Sequence, residues 1–516
     1  MFDLVSPETM SAIDRKAIEE LGVPSLLLME NAGQEVFQLL RDKTGPLADR
    51  TVLVLAGGGN NGGDGLVVAR LCAFAGARVS VLMTSTPDRL SPDCGTNLKF
   101  LETCHPGIVR LIGENTTADL PGLIAGCSVI VDAVFGTGFK GHLPEPVRSI
   151  FRICNNAAAI RVAVDIPSGL CGLTGSAAPD TFRAHYTVTM GLAKPGLFLQ
   201  PGLDFAGEVF LAGICLPDSS VSGFTTRDFL ISRHDIPRLL TKRACSTHKG
   251  DYGKVLIVAG STGMYGAPVL AARGALSAGA GLITLAVPAD IEPVIAAKVT
   301  EIMTLPLPVD AGRGLACQRI PETGKYTVLT IGPGLGQLPG TVEFIRSICS
   351  AAKCPLVIDA DAIHALNSQL LLELTAEKTV ILTPHTGELA AFCSVPVENI
   401  NRDRLAFYRD FCEKHGCFLV GKGPNPFLST PDGRTIMCRV GNPGMAVGGM
   451  GDLMTGLIAG FIAEGLNSRT IEESAILAVY FHGFLGDLTA KETGQRPLTP
   501  SAMLDNIPLA LKELEK

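Results

Sequence analysis

Two aspartates each close an apolar run in the first half of the chain: Asp132 in VIVD from Val129 and Asp165 in VAVD from Val162. In an open parallel sheet the carboxyl ends of the strands line the ligand crevice, so both carboxylates should point into one cleft. Turn chemistry follows each, AVFGTG from Ala133 and IPSG from Ile166. Carboxylates beside carbonyl and hydroxyl groups suit proton transfer or a hard cation. The plainer alternative is that each Asp merely caps its own loop. Upstream lies GGGNNGGDG from Gly57, whose glycines let backbone approach a ligand and offer N–H groups to phosphate at a helix start. A tight turn alone does not explain Asn60, Asn61 and Asp64 together.

The second half carries NPGMAVGGMGD, from Asn442 to Asp452, ahead of an apolar helical pattern over 453–465. Amides from Gly449 to Asp452 would form an anion hole at the positive end of that helix. A carboxylate there can deprotonate a hydroxyl as it attacks phosphorus, or it can simply stabilise the helix dipole. IGPGLG from Ile331, DAD from Asp359 and TPHTGE from Thr383 each follow a predicted strand. His385 reads as a ligand contact or as a satisfied turn histidine. Lys422 follows FLVG and reads as a phosphate partner or a solvated lysine. No GxxxxGK[ST] is present, so a P-loop is not supported.

Positioning these groups takes two sets of elements with the same grammar. Strands are predicted over 51–56, 78–83, 128–134, 161–166 and 186–190, with a helix over 66–76 after the glycine turn and another over 7–40 capped by Ser6 or Ser11. They recur over 254–259, 282–287, 328–331, 356–358, 380–382 and 417–420, with a small-residue helix running to about Gly279. Strands alternating with helix-length segments imply parallel βαβ units. A Pro/Ser/Gly-rich stretch within 216–243 reads as a linker, which divides the chain into domains over 1–222 and 223–516.

The chain has 516 residues, enough for at least two cores, and 47% of them are hydrophobic, which excludes overall disorder. A net charge of −7 and the absence of Trp argue against a nucleic-acid-coating protein. Fifteen cysteines without a CxxC pair read as small buried residues; Cys349 with Cys354 and Cys412 with Cys417 lack histidines at zinc-site spacing. The first ten residues lack a signal-peptide pattern, and the apolar stretch after Asp452 is too short to span a bilayer. A cytoplasmic protein acting on small molecules, with no nucleic-acid or membrane partner, is expected.

Five motifs in order, NAG from Asn31, NNGGDG from Asn60, VDAVFGTG from Val131, VDIPSG from Val164 and KPG from Lys194, closely resemble the NAD(P)H-hydrate epimerase family over residues 5–215. The resemblance implies a Rossmann-like three-layer domain that inverts carbon 6 of hydrated NADH or NADPH, by ring opening or by reversible loss of water. It also implies a potassium ion near Asn61, Asp132 and Ser168. Asn60, Asn61, Gly62, Gly63 and Asp64, with Gly136, Thr137, Gly138, Phe139, Lys140, Gly141 and His142, would hold the nucleotide. Asp165 would contact the hydrated ring, and Asp132 would share the acid/base work or serve only the ion.

Residues 245–490 resemble the ADP- or ATP-dependent NAD(P)H-hydrate dehydratase family of the ribokinase-like fold. The resemblance is carried by HKGDYGKVLIVAGS from His248, YGAP from Tyr265, GPGLG, DADA, TPHTGE, KG at Lys422 and NPGMAVGGMGD. It implies substrate contacts from Ala267, Gly334, His385 and Asp452, and an adenine nucleotide on Lys422, Gly423, Pro424, Asn425, Pro426 and Gly451. Met450 stands where the family has a small residue, and Pro426 removes an N–H donor. Asp452 would take the proton of the C6 hydroxyl as it accepts a phosphoryl group from magnesium-bound ADP. Loss of phosphate would then restore NAD(P)H. A homo-oligomer is also expected. The competing reading is a ribokinase-like small-molecule kinase with a nucleotide-sensing N-terminal domain.

Overall fold

The computed structural model describes residues 1–112, 120–139, 141–312, 314–316 and 320–516. They form two compact units, Asp3–Thr226 and Met1–Phe2 with Arg227–Lys516.

In the first unit, strands β1 (Thr51–Ala56), β2 (Arg78–Met83), β3 (Val109–Leu111), β4 (Val129–Ala133), β5 (Ile160–Val164), β6 (Tyr186–Met190) and β7 (Glu208–Ala212) form one sheet. Its order is β3-β2-β1-β4-β5-β6-β7, parallel throughout. Val52, Val54 and Ala56 pack on one face with Val36, Leu40 and Leu66, whereas Leu53 and Leu55 pack on the other with Ile150 and Phe151. That alternation is the three-layer signature, helices on both faces of a buried sheet. Chain order reverses between β1 and β4, so the loops after them flank the switch-point crevice.

The predicted helix over 7–40 is broken at 21–24. Ser6 caps Pro7–Arg15 by accepting from the Thr9 N–H at 3.1 Å, and α1 (Ser25–Thr44) begins after Pro24. The glycine turn is shorter than predicted, because α2 spans Asn60–Phe74 and contains Gly62, Gly63 and Gly65. Space explains them. A β-carbon at Gly62 would stand 2.0 Å from the Gly57 carbonyl oxygen, and one at Gly65 would stand 2.5 Å from the Ala133 β-carbon.

In the second unit the strands are β8 (Asp228–Ile231), β9 (Lys254–Val258), β10 (Leu282–Pro288), β11 (Met303–Leu307), β12 (Val328–Ile331), β13 (Leu356–Ile358), β14 (Val380–Leu382), β15 (Phe418–Gly421), β16 (Phe427–Ser429) and β17 (Thr435–Cys438). Their order is β8-β17-β16-β15-β14-β13-β12-β9-β10-β11, with β15-β16 and β16-β17 antiparallel and the other pairings between these strands parallel. Strand β8 lies in the predicted linker; four residues with a partner two hundred positions away leave no local signal. Register aligns Val258 with Ile331, Ile331 with Ile358 and Ile358 with Leu382. The loops carrying Gly260, Gly332, Asp359 and Thr383 therefore leave the sheet side by side.

Helices α3 (Gly266–Ser277) and α5 (Met450–Glu464) pack together over this sheet; α4 is Thr386–Cys393 and α6 is Ile471–Thr493. The α3–α5 contact is nearly backbone on backbone. A β-carbon at Gly456 would stand 2.0 Å from the Ala271 carbonyl oxygen, and one at Gly460 would stand 2.5 Å from that of Ala275. The fourteen described cysteines are free, including Cys349, Cys354, Cys412 and Cys417. Among the described residues no helix is long and apolar enough to cross a membrane.

Candidate functional site

The first unit holds a cavity of about 1190 Å³ at the switch point, lined by Asn60, Asn61, Asp64, Gly136, Thr137, Gly138 and Asp165. Asp165 follows β5 with φ 64°, a left-handed backbone uncommon outside glycine. Its Oδ1 accepts from Lys194 Nζ at 2.6 Å, from the Met190 N–H at 3.1 Å and from Thr189 Oγ1 at 3.3 Å. Lys194 is fully buried and also donates to the Met190 carbonyl at 2.9 Å. One carboxylate oxygen is thus fixed by the protein. The other, Oδ2, lies beside Gly136, where an added β-carbon would meet it at 3.3 Å and Asn61 Oδ1 at 3.2 Å. Glycine at 136 keeps that approach open.

Asn61 has both side-chain polar atoms buried without a hydrogen-bond partner, which in a folded interior marks a place for a ligand or ion. Asp132 does not point into the cleft as its strand-end position predicts. It is wholly buried and absent from the cavity wall. Its Oδ1 accepts from Ser168 Oγ at 2.7 Å and the Val134 N–H at 3.2 Å, and its Oδ2 accepts from the Ser168 N–H at 2.7 Å. Burial pushes its pKa up to about 6 against the opposing Ser168 and Val134 hydrogen bonds. In this arrangement Asp132 locks the loop after β4 to the loop after β5 and does not face the cavity.

Other predicted contacts also fall away from the cavity. Gly62 and Gly63 pack inward against Gly57 and Met29. Phe139 rests on the core, and Gly141 and His142 are exposed. Lys140 lies outside the described residues.

Sequence reading missed Asp14, which reaches the same cavity from the helix Pro7–Arg15 and has Oδ1 buried without a partner. Burial pushes its pKa up to about 6, with Lys194 opposing and Asp165 reinforcing. Asp64 is raised well above the usual carboxylate range by burial and by the charges of Asp165 and Asp14, with Lys194 opposing. A signal was present for Asp14: it interrupts the helix face formed by Met10, Ile13 and Ala17. Three carboxyls and one ammonium thus share a pocket, an arrangement in which some carboxyls stay protonated near neutrality and can exchange protons with a ligand.

In the second unit Asp359 stands at the end of β13 and Asp452 at a helix start. Asp359 is 1% exposed and accepts from Lys422 Nζ at 2.6 Å, Thr383 Oγ1 at 2.7 Å and Thr455 Oγ1 at 2.7 Å. Lys422 is therefore not a solvated lysine; a β-carbon at Gly451 would stand 3.3 Å from its Nζ. Asp452 lies in the first turn of α5, where the leading N–H groups have no intrahelical partner. Its pKa is pushed up to about 6, by burial first and then by Asp359, with Lys422 opposing and Asp361 adding.

A cavity of about 240 Å³ is lined by Lys422, Gly423, Pro424, Pro426, Met450 and Gly451, gathering most of the predicted nucleotide residues. Asn425 is buried with φ 49° and does not line it. Ala267 and Gly334 meet, since a β-carbon at Gly334 would stand 3.1 Å from that of Ala267. His385 is exposed and caps α4: its Nδ1 accepts from the Glu388 N–H at 3.1 Å, and its Nε2 lies 3.2 Å from Glu388 Oε1. Arg404, also unforeseen, donates to the Lys422 carbonyl and stacks over Phe427, anchoring this loop.

Comparison with known proteins matches both units. Residues 255–509 match the family described as NAD(P)H-hydrate dehydratase, and residues 25–196 match the family described as YjeF-related protein N-terminus. A bifunctional NAD(P)H-hydrate repair enzyme of Moorella thermoacetica is 38% identical over 99% of this chain and 97% of its own. One from Thermofilum pendens is 34% identical over 98% and 95%. An ADP/ATP-dependent NAD(P)H-hydrate dehydratase of Bacillus subtilis, solved with ATP and magnesium, is 28% identical, with a TM-score of 0.49 over 55% of this chain and 98% of its own. With both family matches in order and full-length relatives above 30% identity, the chain belongs to the bifunctional NAD(P)H-hydrate repair enzymes.

Proposed function

We propose that the first unit interconverts the R and S hydrates of NADH and NADPH, and that the second dehydrates the S form at the expense of ADP, giving NAD(P)H, AMP and phosphate. One observation carries the reading: Asp165 follows a strand end at the first cavity with Lys194 fixing its charge, and Asp452 opens a glycine-led helix whose Gly451 abuts Lys422, the partner of strand-end Asp359.

In the first cavity the Lys194 ammonium holds Asp165 Oδ1 and leaves Oδ2 toward the ring of the hydrate. Asp165 exchanges the proton needed for inversion at C6, and Asp14 and Asp64 supply protonated neighbours. The unpartnered Asn61 amide supports a potassium ion at this place, with Ser168 and Asp132 as the further oxygen ligands that the family resemblance implies. Such an ion would supply fixed positive charge beside the nucleotide.

In the second unit Asp452 takes the proton of the C6 hydroxyl while that oxygen attacks the terminal phosphorus of ADP, and AMP leaves. The ring nitrogen lone pair then expels phosphate from C6, and loss of a C5 proton regenerates the dihydronicotinamide. Lys422 and the amides of Gly451 and Asp452 offset the developing phosphate charge. A magnesium ion bound through the nucleotide phosphates would supply further charge neutralisation.

The test is recovery of nicotinamide absorbance from mixed hydrate epimers, with ADP compared with ATP. Complete recovery is expected with ADP. Recovery of only half the hydrate, or a stable phosphorylated product, overturns the epimerase or the dehydratase assignment respectively.

A further inference from the structure

Helix α6 backs closely onto the loop that follows β17. A β-carbon at Gly483 would stand 2.5 Å from Val440 Cγ2, and one at Gly486 would stand 2.3 Å from the Met445 sulfur. One turn on from Gly483, Asp487 meets the same loop with both carboxylate oxygens. Its Oδ2 accepts from the Gly441 N–H at 2.8 Å, and its Oδ1 accepts from Asn442 Nδ2 at 2.9 Å. The Asn442 amide is engaged at both ends, because its Oδ1 accepts from the Gly444 N–H at 3.0 Å. Gly441, Asn442, Pro443 and Met445 line the cavity of about 240 Å³ that Lys422 also lines, whereas Asp487 does not. The carboxylate thus acts on that cavity only through the loop.

We propose that Asp487 is a positioning residue of the second unit, holding the loop 441–445 in the form that admits the adenine nucleotide. The inference rests on the reading of this unit as an ADP-dependent dehydratase and adds a residue of α6 from outside the cavity wall. Two donors converge on one acceptor-only group, so a carboxamide cannot replace it. An amide at position 487 has one oxygen for two donors, and turning the Asn442 amide over to accept from it strands the Gly444 N–H. Exchanging the two residue types restores every bond. A carboxylate at position 442 accepts from the amide N–H at 487 and from the Gly444 N–H, and the amide oxygen accepts from the Gly441 N–H. Net charge is unchanged. Asp452 lies on α5, which is held separately by its packing on α3, so the loop should govern nucleotide affinity more than turnover.

The experiment measures ADP-dependent dehydration of S-hydrate by the full-length protein, its Asp487→Asn and Asn442→Asp variants and the variant carrying both changes. Each single change should raise KM for ADP about tenfold, the order of effect expected when a bond to a charged group is unmade. Turnover and KM for the hydrate should stay within about threefold of the wild type. The double variant should bring KM for ADP back to within about threefold of the wild type. Single variants with the wild-type KM for ADP overturn the role of Asp487. So does a joint fall in turnover and rise in both KM values, which is the mark of general loosening. A double variant no better than the singles, in KM or in folded yield, overturns the pairing as well. Absence of nucleotide-dependent dehydration in the wild type instead overturns the dehydratase reading itself, and this inference with it.

Discussion

Lys194 Nζ stands 2.6 Å from Asp165 Oδ1, and Lys194 is fully buried. A buried ion pair of this kind is costly to break from one side, because the remaining charge loses its partner. Lys194→Met should therefore destabilise the first unit by about 3–5 kcal/mol. It should also remove R-to-S conversion in the protein that remains folded. Denaturant unfolding with an epimerisation assay checks this; a variant with full activity and stability contradicts the pairing's importance.

Asp165→Asn keeps the shape and one oxygen but cannot exchange a proton. Epimerisation should fall by about 10²-fold or more while dehydration of pure S-hydrate is unchanged. Parallel loss of both activities would show that the two sites do not work independently.

Asp452 has its pKa pushed up to about 6, first by burial and then by the Asp359 carboxylate. A base is competent only when ionised, so dehydratase kcat/KM should rise with pH through about 6 and level above it. Asp452→Asn should lower turnover by about 10²-fold or more while nucleotide still binds. A flat wild-type profile from pH 5 to 8 would remove Asp452 from the role of base.

Asp14 carries a raised pKa of about 6, caused first by burial, so its ionised form is disfavoured in the folded state. Its stabilising contribution is fully present below the unfolded-state value and is lost as pH rises through about 6. Asp14→Asn should therefore stabilise the protein at pH 7, by roughly 1–3 kcal/mol, and the advantage should vanish near pH 4. It should also slow epimerisation. Thermal unfolding across that window decides it, since an Asp14 without a raised pKa would give the same difference at every pH within it.

Gly456 leaves no room for a side chain against the Ala271 carbonyl. Gly456→Val should force α5 away from α3 and cost about 3 kcal/mol or more, with dehydration lost and epimerisation kept. Unfolding of the second unit, followed separately from epimerase activity, reads the effect.

Much of the frame was legible. The strands Thr51–Ala56, Arg78–Met83, Tyr186–Met190, Val328–Ile331, Leu356–Ile358 and Val380–Leu382 coincide with their predicted bounds, because short runs of β-branched residues between glycine turns suit buried parallel strands. Helix starts were less legible. Asn60–Phe74 and Met450–Glu464 both begin inside glycine clusters, where propensity argues for a turn but close packing requires a missing β-carbon. Strand Asp228–Ile231 was hidden in a polar stretch because its partner is remote.

Sequence alone determined the acids, glycine turns and order of motifs that mark two α/β catalytic units and their family. Tertiary structure decided which groups meet: it sealed Asp132 behind Ser168, brought Asp14 beside Asp165 and Lys194, joined Lys422 to Asp359, and left His385 on the surface. Residue type and spacing fix what chemistry a side chain can do and roughly which strand end it occupies. Whether it faces a cavity or a neighbour depends on contacts between segments far apart in the chain, and those follow from burial and register.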